Sequence, residues 1–152
     1  MGQSSSTMQL TRAADYGVRV MIHLASLSGH QRARLPDLAR ATGAPESFLS
    51  KVLQALCRAA FIVSQRGQAG GFEILPAGRQ ASISAVIEAV DGPICLNLCM
   101  GSEANCKRSS FCPAHPVWTR AQQAMMAVLN EASVTELALE SASSAAPSAE
   151  TA

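Results

Sequence analysis

The chain of 152 residues has few aromatic side chains, only 4% of the total, and only 15% charged residues. Scarce aromatics argue against an aromatic-dense all-β protein, while a hydrophobic content of 48% argues against a disordered one. The length fits one domain with short appendages. We therefore expect a mainly α protein whose helices are rich in Ala and Leu.

The sequence also lacks a long apolar run. No stretch approaches the roughly 20 residues that cross a bilayer, and the start MGQSSSTM lacks the basic-then-apolar order of a signal peptide. These absences predict a cytoplasmic protein with no membrane partner. We expect residues 1–8 to form a disordered leader and the Ser- and Ala-rich residues 141–152 to form a disordered tail.

The net charge of +1 conceals an asymmetry between the two halves. Residues 1–80 hold nine Lys and Arg against four Asp and Glu, a net charge of +5. Residues 81–152 hold three basic against seven acidic residues, a net charge of −4. A basic first half suggests a polyanionic partner, although an excess of this size is also common on plain solvated surfaces.

Helical periodicity dominates the first sixty residues. Apolar residues recur with helical spacing over 10–27, 35–41 and 48–60. Thr11 can cap the first of these helices, and Gly43 ends the second just before a tight turn. A short helix, a Gly-containing turn and a longer helix follow one another in the order of a helix-turn-helix.

Two short apolar runs, residues 61–63 and 72–75, predict β-strands on either side of a glycine-bearing segment, residues 65–71. A hairpin directly after a helix-turn-helix is a wing, and Arg66 lies at its tip, where it can enter a narrow minor groove. A further short helix is expected over 84–90. Residues 9–92 are therefore predicted to form a winged helix-turn-helix domain.

The outward face of the third helix carries short hydrogen-bonding and basic side chains. A recognition helix presents such groups to base edges in the major groove of DNA, although a plain solvated helix surface has a similar composition. The residues that we expect to contact double-stranded DNA are Ser47, Ser50, Lys51 and Gln54 on this helix and Arg66 on the wing.

Four of the five cysteines lie between residues 95 and 112, in a loop that we delimit as residues 93–115. Clustered thiols in a cytosolic chain indicate metal or redox chemistry. The spacing is C-x6-C-x5-C-x2-H from Cys99 to His115, which differs from paired zinc knuckles and from a bacterial ferredoxin run. Three thiolates on one flexible loop can converge on one centre, and thiolates favour iron-sulfur clusters, zinc and copper(I).

Within the region 116–140, a helix with Pro116 at its first position and its end near residue 129 carries an apolar stripe. This helix is long relative to the elements before it. In so short a chain, the expected partner of the stripe is a second copy of the same helix, which predicts a homodimer.

Together these motifs make the chain resemble the Rrf family of winged-helix transcriptional regulators, which includes IscR-like and NsrR-like iron-sulfur regulators. The resemblance runs from about residue 8 to residue 139. It is carried by MQLTRAADYGVRVMIHLA, PESFLSKVLQAL, RGQAGGF, SAVIEAVDGP and the three-cysteine loop. It implies a homodimer that binds a palindromic operator and holds a redox-labile cluster through three cysteines and one further ligand.

By position, the resemblance implies that Cys99, Cys106 and Cys112 are the cysteine ligands. The fourth ligand has two candidates: His115 matches the IscR-like arrangement, and Asp15 matches the carboxylate that NsrR-like members supply from the other subunit. The first choice implies a two-iron cluster (2Fe-2S), which we favour, and the second a four-iron cluster (4Fe-4S). The gap between the first two cysteines is one residue longer than in IscR-like members.

The sequence therefore predicts a DNA-binding regulator, not an enzyme, and most simply a repressor whose cluster reports nitric oxide, redox stress or iron-sulfur status. Two alternatives stay open at this point. One is a metal-free thiol switch that uses the same cysteines and Cys95 as disulfide partners. The other is an iron-sulfur electron carrier that does not bind DNA.

Overall fold

The computed structural model describes residues 9–101 and 106–144, so the predicted leader, most of the predicted tail and residues 102–105 lie outside it. Seven α-helices and one two-stranded sheet form the described part of the chain. In order they are α1 (Arg12–Ser26), α2 (Leu35–Thr42), α3 (Glu46–Arg58), β1 (Ile62–Gln65), β2 (Gly71–Ile74), α4 (Pro76–Gln80), α5 (Ile83–Asp91), a 3-10 turn (Leu98–Met100), α6 (His115–Glu131) and α7 (Val134–Ser144).

The helix-turn-helix comprises α2, the turn that follows it, and α3. Thr11 caps α1 as predicted, since its side chain accepts a hydrogen bond from the backbone N–H of Ala14. Gly43 ends α2 in the left-handed region at φ 70°, a conformation that glycine adopts without steric penalty. This glycine lets the chain turn sharply into α3, which sets the angle between the two helices.

The core of the molecule is centred on α1, which contacts α2, α3, α5 and α7. Its buried face packs against apolar side chains of α3 and α5, since these helices are amphipathic. Phe48 departs from the sequence pattern because 39% of its side chain is exposed, in edge contact with the ring of Tyr16. The largest fully buried side chains are Met21, Leu24, Leu38, Leu49, Leu53, Leu56, Ile62, Ile87, Val20, Val52, Val86 and Val134.

The wing is the antiparallel hairpin of β1 and β2, with Ile62 opposite Ile74 and Gln65 opposite Gly71. Gly67 and Gly71 have positive φ values of 104° and 141°, so the turn uses two of its glycines in the expected way. Ala33, just before α2, pairs with Phe72 through two backbone hydrogen bonds of 2.8 and 3.0 Å. The wing is therefore joined by backbone pairing to the segment that leads into the helix-turn-helix.

Two helices were not anticipated as separate elements. The first is the five-residue α4. The second is α7, which turns back from α6 to bury Val134 and Ala138 and continues to Ser144, past the expected start of the tail at residue 141. Because α7 packs on α1 and α4, residues 116–140 divide into a peripheral helix and a helix that belongs to the core.

Helix α6 is peripheral and contains no fully buried residue. Its packing partners in the described chain are α5 and the 3-10 turn, while Val117 and Val128 are 58% and 66% exposed. Within the ranges that the structure covers, none of the helices combines the length and the hydropathy required to traverse a membrane.

Candidate functional site

The outer face of α3 presents the side chains that the sequence predicted. Ser47, Lys51 and Gln54 are exposed, whereas Ser50 is half-buried and its hydroxyl donates to the backbone carbonyl of Glu46 at 3.1 Å. The Ser50 hydroxyl thus donates its proton within its own helix, and its oxygen can still accept a hydrogen bond from a partner. The face therefore offers a cation, an amide and two hydroxyls to a partner.

A groove of about 480 Å³ runs between α3 and the wing. Ser50, Gln54 and Arg66 line it, so the fold brings three of the five predicted DNA-contacting residues together. Ser47 and Lys51 lie on the same helix outside the groove. The other lining residues are Leu35, Leu53, Cys57, Arg58, Ser64 and Phe72.

Arginines that the sequence analysis did not select also surround the wing. Arg58 lines the groove, and Arg34 lines the adjoining hollow beside Arg66 and the glycine turn. Arg34 donates to the carbonyl of Gln68, and Arg32 donates to the carbonyl of Ala69 at 3.4 Å. Arg32 and Arg34 were missed because they precede α2 in the chain, and only the Ala33–Phe72 pairing brings them to the wing.

The base of the wing holds an ion-pair network around Glu73, whose side chain is only 12% exposed. His30 Nδ1 lies 2.6 Å from one carboxylate oxygen, and an Arg32 nitrogen lies 3.1 Å from the other. The hydrogen bond from His30, followed by the charge of Arg32, lowers the pKa of Glu73 below the ordinary glutamate value of 4.5. The ionised carboxylate therefore links β2 to the segment before α2.

Cys57 lies at the inner side of the groove, packed against the core. Its burial raises the pKa of its thiol above the ordinary value of 9.0, which disfavours the reactive thiolate. Cys57 therefore serves as a small packed side chain, and it does not line the cavity of the other cysteines.

The second site is a cavity of about 290 Å³ between the cysteine loop and the start of α6. Cys99, Cys106, Cys112 and His115 all line it, so the structure brings together the three cysteines and one of the two alternative fourth ligands. The remaining lining residues are Asn97, Leu98, Ser109 and Trp118. Convergence of these soft donors on one hollow is what a cluster site requires.

Tight backbone turns place these donors. The N–H of Met100 donates to the carbonyl of Asn97 in the 3-10 turn that carries Cys99. The N–H of Ser109 donates to the carbonyl of Cys106, and that of His115 to the carbonyl of Cys112 at 3.1 Å. The last turn also starts α6, so the Cys112–His115 pair is fixed to a regular helix.

The side chain of His115 supplies an independent sign of a ligand. Its Nδ1 atom is buried and finds no hydrogen-bond partner among the described residues. A buried polar atom without a partner is destabilising, and natural proteins nearly always satisfy such an atom or use it for function. Three thiols and a histidine lining one cavity fit the donor set of an iron-sulfur cluster.

In the described ranges, no three His, Cys, Asp or Glu side chains are grouped closely enough to hold a single metal ion. Ligands of one zinc ion all lie about 2.0–2.3 Å from the same atom, which forces them close together. Ligands of a cluster bind different irons and lie further apart, within a hollow such as this one.

Asp15 and Cys95 do not line the cysteine cavity of this chain. Asp15 pairs with Arg19 at 2.8 Å, and Arg19 also donates to the carbonyl of Thr42 at 3.1 Å. Cys95 is exposed and lies outside the cavity lining. Asp15 is thus connected, through Arg19, to the end of α2 immediately before the turn into α3.

Comparisons with known proteins give a consistent result. The profile of the Rrf2 family, described as an iron-dependent transcriptional regulator, matches residues 10–140. An HTH-type transcriptional regulator of Mycobacterium tuberculosis is 30% identical over 131 residues, which cover 86% of this chain and 81% of that protein. The regulator IscR of Vibrio atlanticus is 28% identical over 130 residues, which cover 86% of this chain and 75% of that protein.

Solved structures share the fold. The oxidized form of CymR from Staphylococcus aureus superposes with a TM-score of 0.67 at 26% identity, over 86% of this chain and 96% of that chain. IscR of T. potens superposes with a TM-score of 0.72 at 21% identity, over 94% of each chain. These neighbours confirm the predicted winged-helix fold, and the matched relatives are transcriptional regulators, not enzymes.

Proposed function

Because the chain belongs to the Rrf2 family of transcriptional regulators, we propose that it is a DNA-binding regulator controlled by an iron-sulfur cluster. In this proposal Cys99, Cys106 and Cys112 hold the cluster, and the groove between α3 and the wing receives a palindromic operator. The regulator acts in the cytoplasm, most simply as a repressor, and responds to nitric oxide, redox stress or iron-sulfur supply.

The single observation that carries the proposal is one cavity lined by three thiols and by His115, whose Nδ1 has no hydrogen-bond partner among the described residues. Such a cavity has little use in a protein that only reads DNA. A cluster bound there supplies an iron centre that oxidants and nitric oxide can attack, and its loss frees four donors at once. The described His115 geometry favours a two-iron cluster with His115 as the fourth ligand, and Asp15 remains the alternative from the partner subunit.

DNA recognition rests on the groove. Gln54 can pair with a base edge in the major groove, and Arg66 can enter the adjacent minor groove from the wing. Arg58 and Arg34 add positive charge beside phosphates, which contributes affinity without sequence preference. Four of the nine basic residues of 1–80 thus lie on α3, on the wing or beside it: Arg34, Lys51, Arg58 and Arg66.

A homodimer follows from the exposed face of α6. Val117, Ala121, Ala124 and Val128 recur at intervals of four, three and four residues and are exposed, which is the spacing of a helix-pairing seam. A palindromic operator requires two such subunits related by a two-fold axis. We propose that this seam pairs two copies, with the two α3 helices presented to successive half-sites.

The test is anaerobic purification followed by iron and sulfide analysis and visible spectroscopy. We expect coloured protein in which Cys99→Ser, Cys106→Ser and Cys112→Ser each abolish the visible absorption, whereas Cys57→Ser and Cys95→Ser retain it. Colourless wild-type protein after cluster reconstitution would contradict the proposal. Resonance Raman spectra of His115→Ala and Asp15→Ala then identify the fourth ligand, because only its loss shifts the iron-ligand bands.

A metal-free thiol switch is the second candidate. It is favoured by the oxidized form in which the related CymR was solved and by the exposed Cys95 next to the cysteine cavity. Diamide treatment of iron-free protein separates the two candidates. A change in operator affinity that depends on Cys95 and Cys99 would support the switch, and no change would leave the cluster as the sensor.

A further inference from the structure

Gln122, in the middle of α6, holds the segment that leads into the cysteine loop. Its side-chain amide makes two hydrogen bonds to backbone groups of that segment. The Nε2 group donates to the carbonyl of Ile94 at 2.6 Å, and Oε1 accepts from the N–H of Leu96 at 2.7 Å. One planar amide thus satisfies a donor and an acceptor two residues apart, a geometry that fixes the local backbone.

The two hydrogen bonds of Gln122 join the segment 93–101 to α6 in the described part of the chain. Among residues 9–101 and 106–144, no other hydrogen bond joins the segment 93–101 to α6. The remaining polar contact of this segment is to α5, where the N–H of Ile94 donates to the carboxylate of Glu88 at 3.4 Å. Gln122 therefore makes the hydrogen bonds that fix the segment relative to α6, in addition to the packing of the 3-10 turn on the same helix.

The hydrogen bonds of Gln122 join the two chain segments that carry the cysteine site. Cys99 lies three residues after Leu96, in the 3-10 turn, whereas His115 begins α6 seven residues before Gln122. Cys112 is held to His115 by its own backbone turn, 3.1 Å from carbonyl to N–H. Cys99 is therefore the ligand whose placement relative to the others rests on a bond made at a distance from the cavity.

We propose that Gln122 is a positioning residue for the cysteine site, which keeps Cys99 beside the Cys112–His115 pair. This inference rests on the proposed cluster function. Without the amide, Cys99 moves away from the other donors and becomes the first ligand to be released. Groups that orient metal ligands in this way typically change metal affinity by about 10- to 100-fold when removed.

The experiment compares Gln122→Leu, which loses both bonds, with Gln122→Glu. The carboxylate of the second variant can still accept from Leu96 but cannot donate to Ile94. Gln123→Leu is the matched control because Gln123 is exposed on the same helix and makes no hydrogen bond among the described residues. Far-ultraviolet circular dichroism and thermal unfolding establish that each variant is folded.

The first readout uses iron-free, reduced protein and measures the alkylation rate of each cysteine by mass spectrometry. We expect Gln122→Leu to accelerate alkylation of Cys99 by about 5-fold or more, the factor for loss of about 1 kcal/mol of hydrogen bonding. Gln122→Glu should give an intermediate rate, and the rates of Cys112 and Cys57 should not change. Equal Cys99 rates in wild type and a folded Gln122→Leu variant would overturn the proposal.

The second readout is the rate at which a chelator removes iron from reconstituted protein. We expect removal to be about 10-fold faster from Gln122→Leu and unchanged in Gln123→Leu. Unchanged removal from Gln122→Leu would also count against the proposal. If wild-type protein binds no iron, the cluster function fails by itself, and the alkylation rates still decide whether Gln122 positions Cys99.

Discussion

The winged-helix region and the cysteine region differ in how they are held together. Residues 12–91 pack around a continuous apolar core in which side chains such as Leu24, Leu53 and Leu56 are at most 1% exposed. Residues 93–131 hold their cysteines through backbone turns and the Gln122 amide, and no residue of α6 is fully buried. Burial in a core to which α7 also contributes holds the first region together, whereas backbone turns and a few side-chain hydrogen bonds hold the second.

This contrast separates two kinds of stability within one chain. Burial stabilises α3 and the wing whether or not a ligand is present. The cysteine region has few buried contacts, and regions of this kind open at low free energy. A cluster and a second subunit would therefore have their largest effect on the region that can respond to a signal.

The largest effect is expected when one buried side chain of the first region is shortened, compared with one exposed side chain of the second. Leu56→Ala, at a fully buried position, should lower the free energy of unfolding by about 2–5 kcal/mol. Val128→Ala, at a position 66% exposed, should change it by less than about 0.5 kcal/mol. Urea unfolding at dilute protein concentration measures both.

Sedimentation equilibrium supplies the complementary result. Val128→Ala should weaken self-association because it removes a member of the proposed α6 seam. Similar losses of unfolding free energy in the two variants, with self-association unchanged, would contradict the division between a self-sufficient and a dependent region.

A smaller effect is expected from removing one positive charge in each region. For an operator identified by selection from genomic DNA, Arg66→Ala should weaken binding by about 1–3 kcal/mol, because the wing arginine is proposed to lie against DNA. The salt dependence of binding should also decrease. Lys107→Ala removes an equally exposed charge from the cysteine loop and should leave operator affinity nearly unchanged. Gel-shift titrations at several salt concentrations measure both, and equal weakening would mean that net charge alone matters.

The smallest effect concerns the ion-pair network at the base of the wing. The pKa of Glu73 is lowered in the folded protein, so its ionised form stabilises the folded state above the ordinary range near 4.5. That contribution is lost as the pH falls through the lowered pKa. Unfolding of wild type and Glu73→Gln should therefore differ at neutral pH and converge in acid, and a constant difference across this range would refute the assignment.

Strong periodicity and recognisable ends made most of the fold predictable. The helices α1, α2, α3 and α5 have apolar stripes. Thr11 caps the start of α1 and Gly43 ends α2, as the sequence indicated. Helix α4 is too short to show a period. Helix α7 has a small apolar face in an Ser- and Ala-rich stretch, although Ser133 and Glu136 bond reciprocally as a capping box whose S-x-x-E spacing is visible in the sequence.

The site was predictable to the extent that its chemistry is local. The spacing of the cysteines and His115 singles out residues that line one cavity in the structure, and α3 presents its polar face because its opposite face is apolar. The contributions of Arg34 and Gln122 could not be predicted. An arginine before α2 and a glutamine on a polar helix face have many possible partners, and only the tertiary arrangement selects one.

Helix α6 carries His115 at its first residue and contacts the core near its last turn, through Leu129 and the bond of Asn130 with Ser84. Its 17 residues span about 25 Å. Because α6 is anchored to the core at its C-terminal end and packs loosely elsewhere, a small displacement of its N-terminal end would tilt the whole helix. A ligand in the cysteine cavity would then change the angle of α6 at the proposed dimer interface, without unfolding of the helix.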